Sequence, residues 1–159
     1  MREPRSTNQM KRSHGLTGHS GQYFVCAELS KRGWLASITL TNAEDIDVLA
    51  HHVATKKNVA IQVKTSSGSE PRWLLSARSE EWSAPHVFFV LVILGKEPPD
   101  FHIVPSEVVR HYIYTRHREW LSGRKKSGEP RRDSSMRNFV DLECKYRNQW
   151  DSLLEDQKG

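Results

Sequence analysis

Four residues in the first half of the chain are of types that could bind a metal ion and a phosphate together. Asp47 begins an apolar stretch, and Gln62 and Lys64 follow it at intervals of fifteen and seventeen residues. Because side chains alternate along a strand, Gln62 and Lys64 should emerge on the same face. Glu28 lies upstream in a predicted helix and adds a second carboxylate. An acid, an amide and an ammonium on one sheet face are typical of a metal and phosphate site.

Asp47 also has an ordinary interpretation. An aspartate at the start of a strand most often caps a turn. A carboxylate among apolar strand residues is costly, however, unless it is paired or bound to a metal. Pairing of residues 46–51 with residues 59–65 would bring Asp47 beside Gln62 and Lys64. Asp45 falls on the same face but nearer the turn, so it is the weaker candidate.

The elements that must position these residues are a helix, a run of strands and two further helices. Polar composition predicts disorder over 1–15, and the following pattern predicts a helix over 22–31 that ends at Gly33. Period-two and apolar patterns predict strands, and a helix should begin at Pro105–Glu107 and reach Leu121. The strands are expected over 34–41, 46–51, 59–65, 73–75, 87–94 and 101–104. Apolar residues at helical spacing predict a last helix over 139–154.

The order of helix, strand, Asp47 on a second strand, and Gln62-Val63-Lys64 on a third resembles the PD-(D/E)XK nuclease superfamily. The closest likeness is to its Holliday-junction-resolvase-like branch and to uncharacterised bacterial endonuclease-like proteins. The resemblance covers about residues 18–110. It implies an α/β fold with a restriction-endonuclease-like core, in which a mixed central sheet with an α-β-β-β start is flanked by helices. It also implies Mg²⁺-dependent (or Mn²⁺-dependent) hydrolysis of DNA phosphodiester bonds.

The resemblance assigns a role to each residue by position. Asp47 would be the principal metal ligand, with the Gln62 amide oxygen and the Val63 backbone carbonyl as further ligands. Lys64 would orient the attacking water and stabilise charge on the phosphate. Glu28 would hold a metal-bound water. Mg²⁺ suits this set because it prefers oxygen ligands and retains water.

Gln62 stands where most members of the superfamily carry an acid, so the affinity for a divalent ion should be reduced. Two interpretations therefore stay open. The chain is a metal-dependent nuclease, or it is a weak or inactive nuclease-fold protein that binds nucleic acid or a protein partner. A purely structural module would explain Asp47 and Glu28 poorly.

The net charge of +5 is concentrated in two polar segments, residues 1–14 at +3 and residues 124–137 at +4. Such segments favour polyanions, although charge on tails can also serve only solubility. The residues expected to contact DNA are Arg124, Lys125, Lys126, Arg131 and Arg132.

The 159 residues predict four segments and a cytoplasmic protein. The segments are a disordered basic tail (1–15), a nuclease core (16–123), a basic linker (124–137) and a C-terminal helix packed on the core (138–159). Cys26 and Cys144 lack metal or redox spacing, and no segment predicts a signal peptide or membrane span. The resemblance implies a homodimer, but no residue identifies a dimer face.

Overall fold

The computed structural model describes residues 13–40 and 45–155. The predicted disorder over 1–15 falls almost wholly on residues 1–12, which lie outside the described residues, as do residues 156–159 at the end of the predicted C-terminal helix.

The first helix, α1 (His14–Lys31), begins eight residues before its predicted start at Gln22. Ser13 caps it by accepting a hydrogen bond from the Leu16 N–H at 3.2 Å. Gly21 allows a close approach to the sheet, because a Cβ at that position would lie 1.9 Å from the Thr65 Oγ1 atom. Gly33 follows the last helical residue, Lys31, by two positions and stops the helix, as predicted. Its φ of 82° favours glycine.

A five-stranded mixed sheet forms the centre of the fold, and this confirms the predicted fold class. Its strands are β1 (Trp34–Ile38), β2 (Val48–His52), β3 (Asn58–Ser66), β5 (Val87–Ile93) and β6 (Asp100–Pro105). They lie in the order β1-β2-β3-β5-β6, and β3 pairs with β5 in parallel while the other pairs are antiparallel. Every residue of β5 is buried, as its continuous apolar run predicts.

Both faces of the sheet are covered. On the first face α1 and a 3₁₀ turn, Trp150–Leu153, enclose a core that includes Val25, Ile61 and Val90. On the second face lie α2 (Ser106–Ser122) and a small antiparallel sheet made of β4 (Arg72–Ser76) and β7 (Met136–Val140). The second core includes Phe89, Leu91, Val109, Trp73 and Phe139.

The helix predicted over 139–154 is wrong. Phe139 lies in β7 opposite Trp73, and Leu142 is 65% exposed. Cys144 and Asn148 have positive φ angles of 53° and 55°, which interrupt a right-handed helix. The helix-like spacing of apolar residues instead reflects a strand, a turn and a 3₁₀ turn that each bury one or two side chains. β7 also shortens the predicted basic linker, since it begins at Met136.

None of the helices in the described part of the chain has the length and apolar character needed to cross a membrane.

Candidate functional site at the start of β2

The site lies where β2 begins and its neighbour β3 continues. Asp47 directly precedes β2, and its backbone is fixed from both sides. Its N–H donates to the Ile61 carbonyl at 2.9 Å, and its own carbonyl accepts from the Thr39 N–H at 2.9 Å. These bonds hold the residue rigidly at the point where the ladder between β2 and β3 ends.

The Asp47 carboxylate takes the place of a strand partner. One oxygen, Oδ2, accepts from the Val63 backbone N–H at 2.8 Å. The other, Oδ1, accepts from the Gln22 side-chain amide at 2.9 Å. The side chain therefore ties the start of β2 to β3 and to α1 at the same time.

The Val63 carbonyl faces the space between β2 and β3 where their ladder ends. The N–H and C=O of one strand residue point to the same neighbouring strand. The Val63 N–H points toward Asp47, and the β2 ladder stops at the Val48–Ile61 pair. The carbonyl is thus directed toward the space beside the Asp47 carboxylate.

Gln62 and Lys64 share a face of β3, as the alternation predicts. They pair with Phe89 and Leu91 of β5, which point to the second core. Gln62 is 4% exposed, and its side chain makes no hydrogen bond within residues 13–40 and 45–155. Lys64 is half-buried and forms no ion pair with any residue of those ranges. Both side chains therefore retain their polar groups for another partner.

The electrostatics of Asp47 follow from its burial. Burial raises the pKa of Asp47 above its ordinary value, and this exceeds the opposing effects of the Val63 N–H, the Lys64 charge and the Gln22 amide. The nearby charge of Asp45 raises the pKa further. Asp47 is therefore a carboxylate that a cation would stabilise in its ionised form.

The structure does not bring Glu28 to this cluster, which corrects the role assigned to it. Its carboxylate binds Lys31 at 2.9 Å and Arg32 at 2.5 Å. The hydrogen bond from Lys31 is the main cause of a lowered Glu28 pKa. Six residues separate Glu28 from Gln22, so it lies about 9 Å farther along the axis and on another side of the helix.

Gln22 is the helix residue of the site, and the sequence analysis missed it. An uncharged glutamine on a helix carries no distinctive signal. The spacing of Glu28 from Lys31 and Arg32, at three and four residues, was the available sign that its carboxylate is occupied on the helix surface.

The site contains few acidic side chains. Across residues 13–40 and 45–155, no group of three or more His, Cys, Asp or Glu side chains lies close enough to bind a metal ion. The oxygen donors observed beside this break are the Asp47 carboxylate and the Val63 backbone, while the Gln62 amide lies one residue away on the face of β3 that points to the second core. Such a set fits a hard divalent ion that keeps several waters, and predicts weak binding.

The basic residues after α2 form a folded loop rather than an open linker. Arg124 donates to the Gly128 carbonyl at 2.9 Å, and Lys125 pairs with Glu129 at 3.2 Å. Arg131 lies over the Trp120 ring, 5.1 Å from its centroid. Lys126 and Arg132 are exposed and have no ion pair with any residue of the described ranges.

A groove elsewhere on the surface does not include any of the residues of the candidate site. This groove of about 740 Å³ lies between α2 and β7, and Tyr112, Arg116, Trp120, Phe139 and Lys145 contribute to its wall. The candidate site lies instead where the ladder between β2 and β3 ends.

Comparison with known proteins gives a likeness to solved structures. No protein family model matches the sequence, and no curated protein matches it. The fold is similar to the solved structure of a bacterial homing endonuclease, I-Ssp6803I, with a TM-score of 0.54 and 17% sequence identity. The match covers 89% of this chain and 91% of that one. At this identity the likeness establishes the fold alone, which is a mixed α/β, endonuclease-like fold.

Proposed function

We propose that this protein is a metal-dependent endonuclease of the PD-(D/E)XK type that hydrolyses DNA phosphodiester bonds. The observation that carries the proposal is the position of Asp47. Its carboxylate is fixed at the break between β2 and β3 by the Val63 N–H, with the unpaired Lys64 ammonium close enough to influence its pKa. The endonuclease-like fold supports the assignment.

The donor set defines how a metal would be held. Asp47, the Gln62 amide oxygen and the Val63 carbonyl would bind Mg²⁺ or Mn²⁺, which would supply Lewis-acid stabilisation of the phosphate charge. Gln62 has no hydrogen-bond partner among residues 13–40 and 45–155, so its amide oxygen is free to serve as a ligand. Gln22 would orient the Asp47 carboxylate through their hydrogen bond. Glu28 has no part in this proposal because Lys31 and Arg32 occupy it.

Lys64 would contact the phosphate of the substrate rather than stabilise the folded chain. An ammonium without an ion pair can approach a scissile phosphate and neutralise the charge that develops in the transition state. It would also position the attacking water. This role explains why a cation lies beside Asp47 without forming a salt bridge to it.

The test is a cleavage assay of the purified full chain on duplex, single-stranded and branched DNA, each in Mg²⁺, Mn²⁺ and EDTA. We expect cleavage only with the metal and only when Lys64 is present. Activity that a Lys64→Ala preparation retains in full would identify a contaminating nuclease and refute the proposal.

A second function, DNA binding without cleavage, is favoured by one observation. Gln22 and Gln62 are both neutral, so within residues 13–40 and 45–155 Asp47 is the one carboxylate in the proposed ligand set. Binding without cleavage in every metal would favour this alternative.

The exposed Lys126 and Arg132, and the neighbouring Arg124, Lys125 and Arg131, would then supply non-specific affinity. Removing a phosphate contact reduces the dependence of affinity on salt by about one unit of slope. We therefore expect Lys126→Ala/Arg132→Ala to bind duplex DNA more weakly and with a flatter salt dependence. Lys31→Ala, which changes an exposed lysine paired with Glu28, is the matched control.

A further inference from the structure

The central sheet has two edges, and residues 13–40 and 45–155 cover only one of them. The outer edge of β6 is covered by residues 144–148. The Ile103 N–H donates to the Tyr146 carbonyl at 2.9 Å, and the Asn148 N–H donates to the Phe101 carbonyl at 2.8 Å. An ion pair between Arg147 and Asp100, at 2.7 Å, fastens this segment to the strand. The β6 edge is therefore closed to another strand.

In the described part of the chain, no strand pairs with the outer edge of β1. Hydrogen bonds from Val53 N–H to the Gly33 carbonyl (3.0 Å) and from Thr39 N–H to the Asp47 carbonyl (2.9 Å) fix which β1 residues face β2. By alternation these are Leu35 and Ser37. The N–H and C=O groups of Trp34, Ala36 and Ile38 therefore point outward. Within residues 13–40 and 45–155, β2 is the only strand that pairs with β1.

The residues of this edge lack the usual protection against strand pairing. Solvent-exposed edges normally carry a charge, a proline or a bulge. The β1 sequence, Trp-Leu-Ala-Ser-Ile, has no charged residue and no proline. Leu35 is 66% exposed, and Leu49 on the neighbouring strand is 52% exposed. A polyanion such as DNA would find no cation on this strand, whereas an uncharged strand would meet no repulsion.

We propose that β1 pairs antiparallel with β1 of a second copy of this chain, across a twofold axis at Ala36. The same uncharged edge then meets itself, which is the self-complementarity that a closed dimer requires. Trp34 would lie opposite Ile38 of the second copy, and Leu35 opposite Ser37 of the second copy. About six backbone hydrogen bonds would satisfy all the outward groups and produce a continuous ten-stranded sheet. The interface is independent of the proposed nuclease site, since it uses none of its residues.

The first test removes one outward N–H. Ala36→Pro deletes a donor that faces away from β2, so the monomer should keep its fold, because proline is tolerated on a free edge. Ala36→Ser keeps the donor and is the matched control. Sedimentation of the full chain over roughly 1 to 200 µM should give a concentration-dependent dimer for the wild type and Ala36→Ser. It should give a monomer with unchanged circular dichroism for Ala36→Pro. A wild type that is monomeric throughout, or an Ala36→Pro dimer of unchanged affinity, would overturn the proposal.

A second test does not depend on the tolerance of proline. Leu35 and Ser37 of the two copies would face each other as a pair without mutual hydrogen bonds, with Cα atoms about 4.5 Å apart, which suits a disulfide. Leu35→Cys/Ser37→Cys should therefore give a covalent dimer under mild oxidation. The two single variants and the wild type, which contains Cys26 and Cys144, report background reaction. A non-covalent dimer whose double variant does not cross-link would place the interface elsewhere, and a ladder of larger products would exclude closed pairing.

Discussion

Asp47 and Asp100 are two aspartates at the beginnings of strands, and the fold treats them in opposite ways. The Asp100 side chain is 8% exposed and binds two cations, Lys96 at 2.6 Å and Arg147 at 2.7 Å. Among the described residues, the donors to the Asp47 carboxylate are both neutral, the Val63 N–H and the Gln22 amide. Its nearest cation, Lys64, influences it without forming a salt bridge.

The two pKa values record this difference. Burial acts to raise the pKa of Asp100, but the hydrogen bonds from Lys96 and Arg147 outweigh it and hold that pKa below its ordinary value. At Asp47 burial prevails and the pKa is raised. A structural carboxylate thus receives its counter-charge from the chain itself. A carboxylate left with neutral partners is available to a cation that comes from outside.

The largest effect should come from removing the cation beside Asp47. We expect Lys64→Ala to lower the rate of DNA cleavage by a factor of about 100 or more, because loss of a group that stabilises transition-state charge has this magnitude. The free energy of unfolding should change little, since Lys64 makes no ion pair within the described ranges. Single-turnover cleavage and urea unfolding measure the two quantities. The matched control is Lys31→Ala, an exposed lysine on α1. A large loss of stability in Lys64→Ala would show that this lysine serves the fold.

Asp100 should show the reverse pattern. Asp100→Asn weakens two ion pairs whose cations are each about 40% exposed, so we expect a loss of about 1–2 kcal/mol at neutral pH and unchanged cleavage chemistry. Because the pKa of Asp100 is lowered on folding, its contribution is present above the unfolded-state value and disappears as the pH falls through the folded-state value. Urea unfolding of wild type and variant at several pH values should therefore converge in acid. Equal loss at all pH values would show that charge at Asp100 is unimportant.

A smaller effect should follow from adding a carboxylate to the candidate site. We expect Gln62→Glu to tighten Mn²⁺ binding about tenfold, since a second anionic oxygen in the proposed ligand set strengthens a hard-ion site. Isothermal titration or the metal-dependent shift in unfolding temperature measures this without reference to catalysis. Gln149→Glu, which changes an exposed glutamine far along the chain, is the control. Unchanged affinity in Gln62→Glu would remove Gln62 from the ligand set.

The smallest effect concerns stability at Asp47. In Asp47→Asn the amide oxygen can still accept from the Val63 N–H, while the cost of burying an ionised group disappears. The variant should be as stable as the wild type at neutral pH or more stable by up to about 1 kcal/mol. Because the folded-state pKa of Asp47 is raised, the wild type loses stability as the pH rises through that value, and the variant does not. Urea unfolding of both proteins across the mildly acidic range is the measurement, and a variant less stable at every pH would contradict it.

Much of the fold was predictable because its signals are local. The continuous apolar run of β5, the alternation along β3 and the glycine after α1 each specify an element from a few neighbouring residues. The prediction for the last segment, residues 139–154, was wrong because it too relied on local signals. Its apolar spacing matched a helix, but Phe139 is buried by pairing with Trp73, a partner that lies 66 residues earlier in the sequence.

The site was predictable only where strand geometry determines it. Alternation correctly placed Gln62 and Lys64 on one face of β3, and the arrangement of β2 beside β3 brought Asp47 to Val63 and within electrostatic reach of Lys64. The helix contribution depends on the rotation of α1 against the sheet, which is set by the contact of Gly21 with Thr65. That rotation presents Gln22 to Asp47 and turns Glu28 away. No local pattern encodes it.

The two hydrogen bonds of the Asp47 carboxylate have a consequence for how such a protein changes over evolution. They fasten the start of β2 to β3 and to α1, so replacement by a residue without a hydrogen-bond acceptor costs stability whether or not the protein cuts DNA. Selection for folding alone would then preserve an acceptor at this position after selection for cleavage had ended. Lys64 makes no ion pair within the described residues, so its loss would cost little stability. Substitutions would therefore accumulate at Lys64 first. Among descendants of this chain, a lost lysine beside a retained aspartate or asparagine would therefore mark the lineages that no longer cleave.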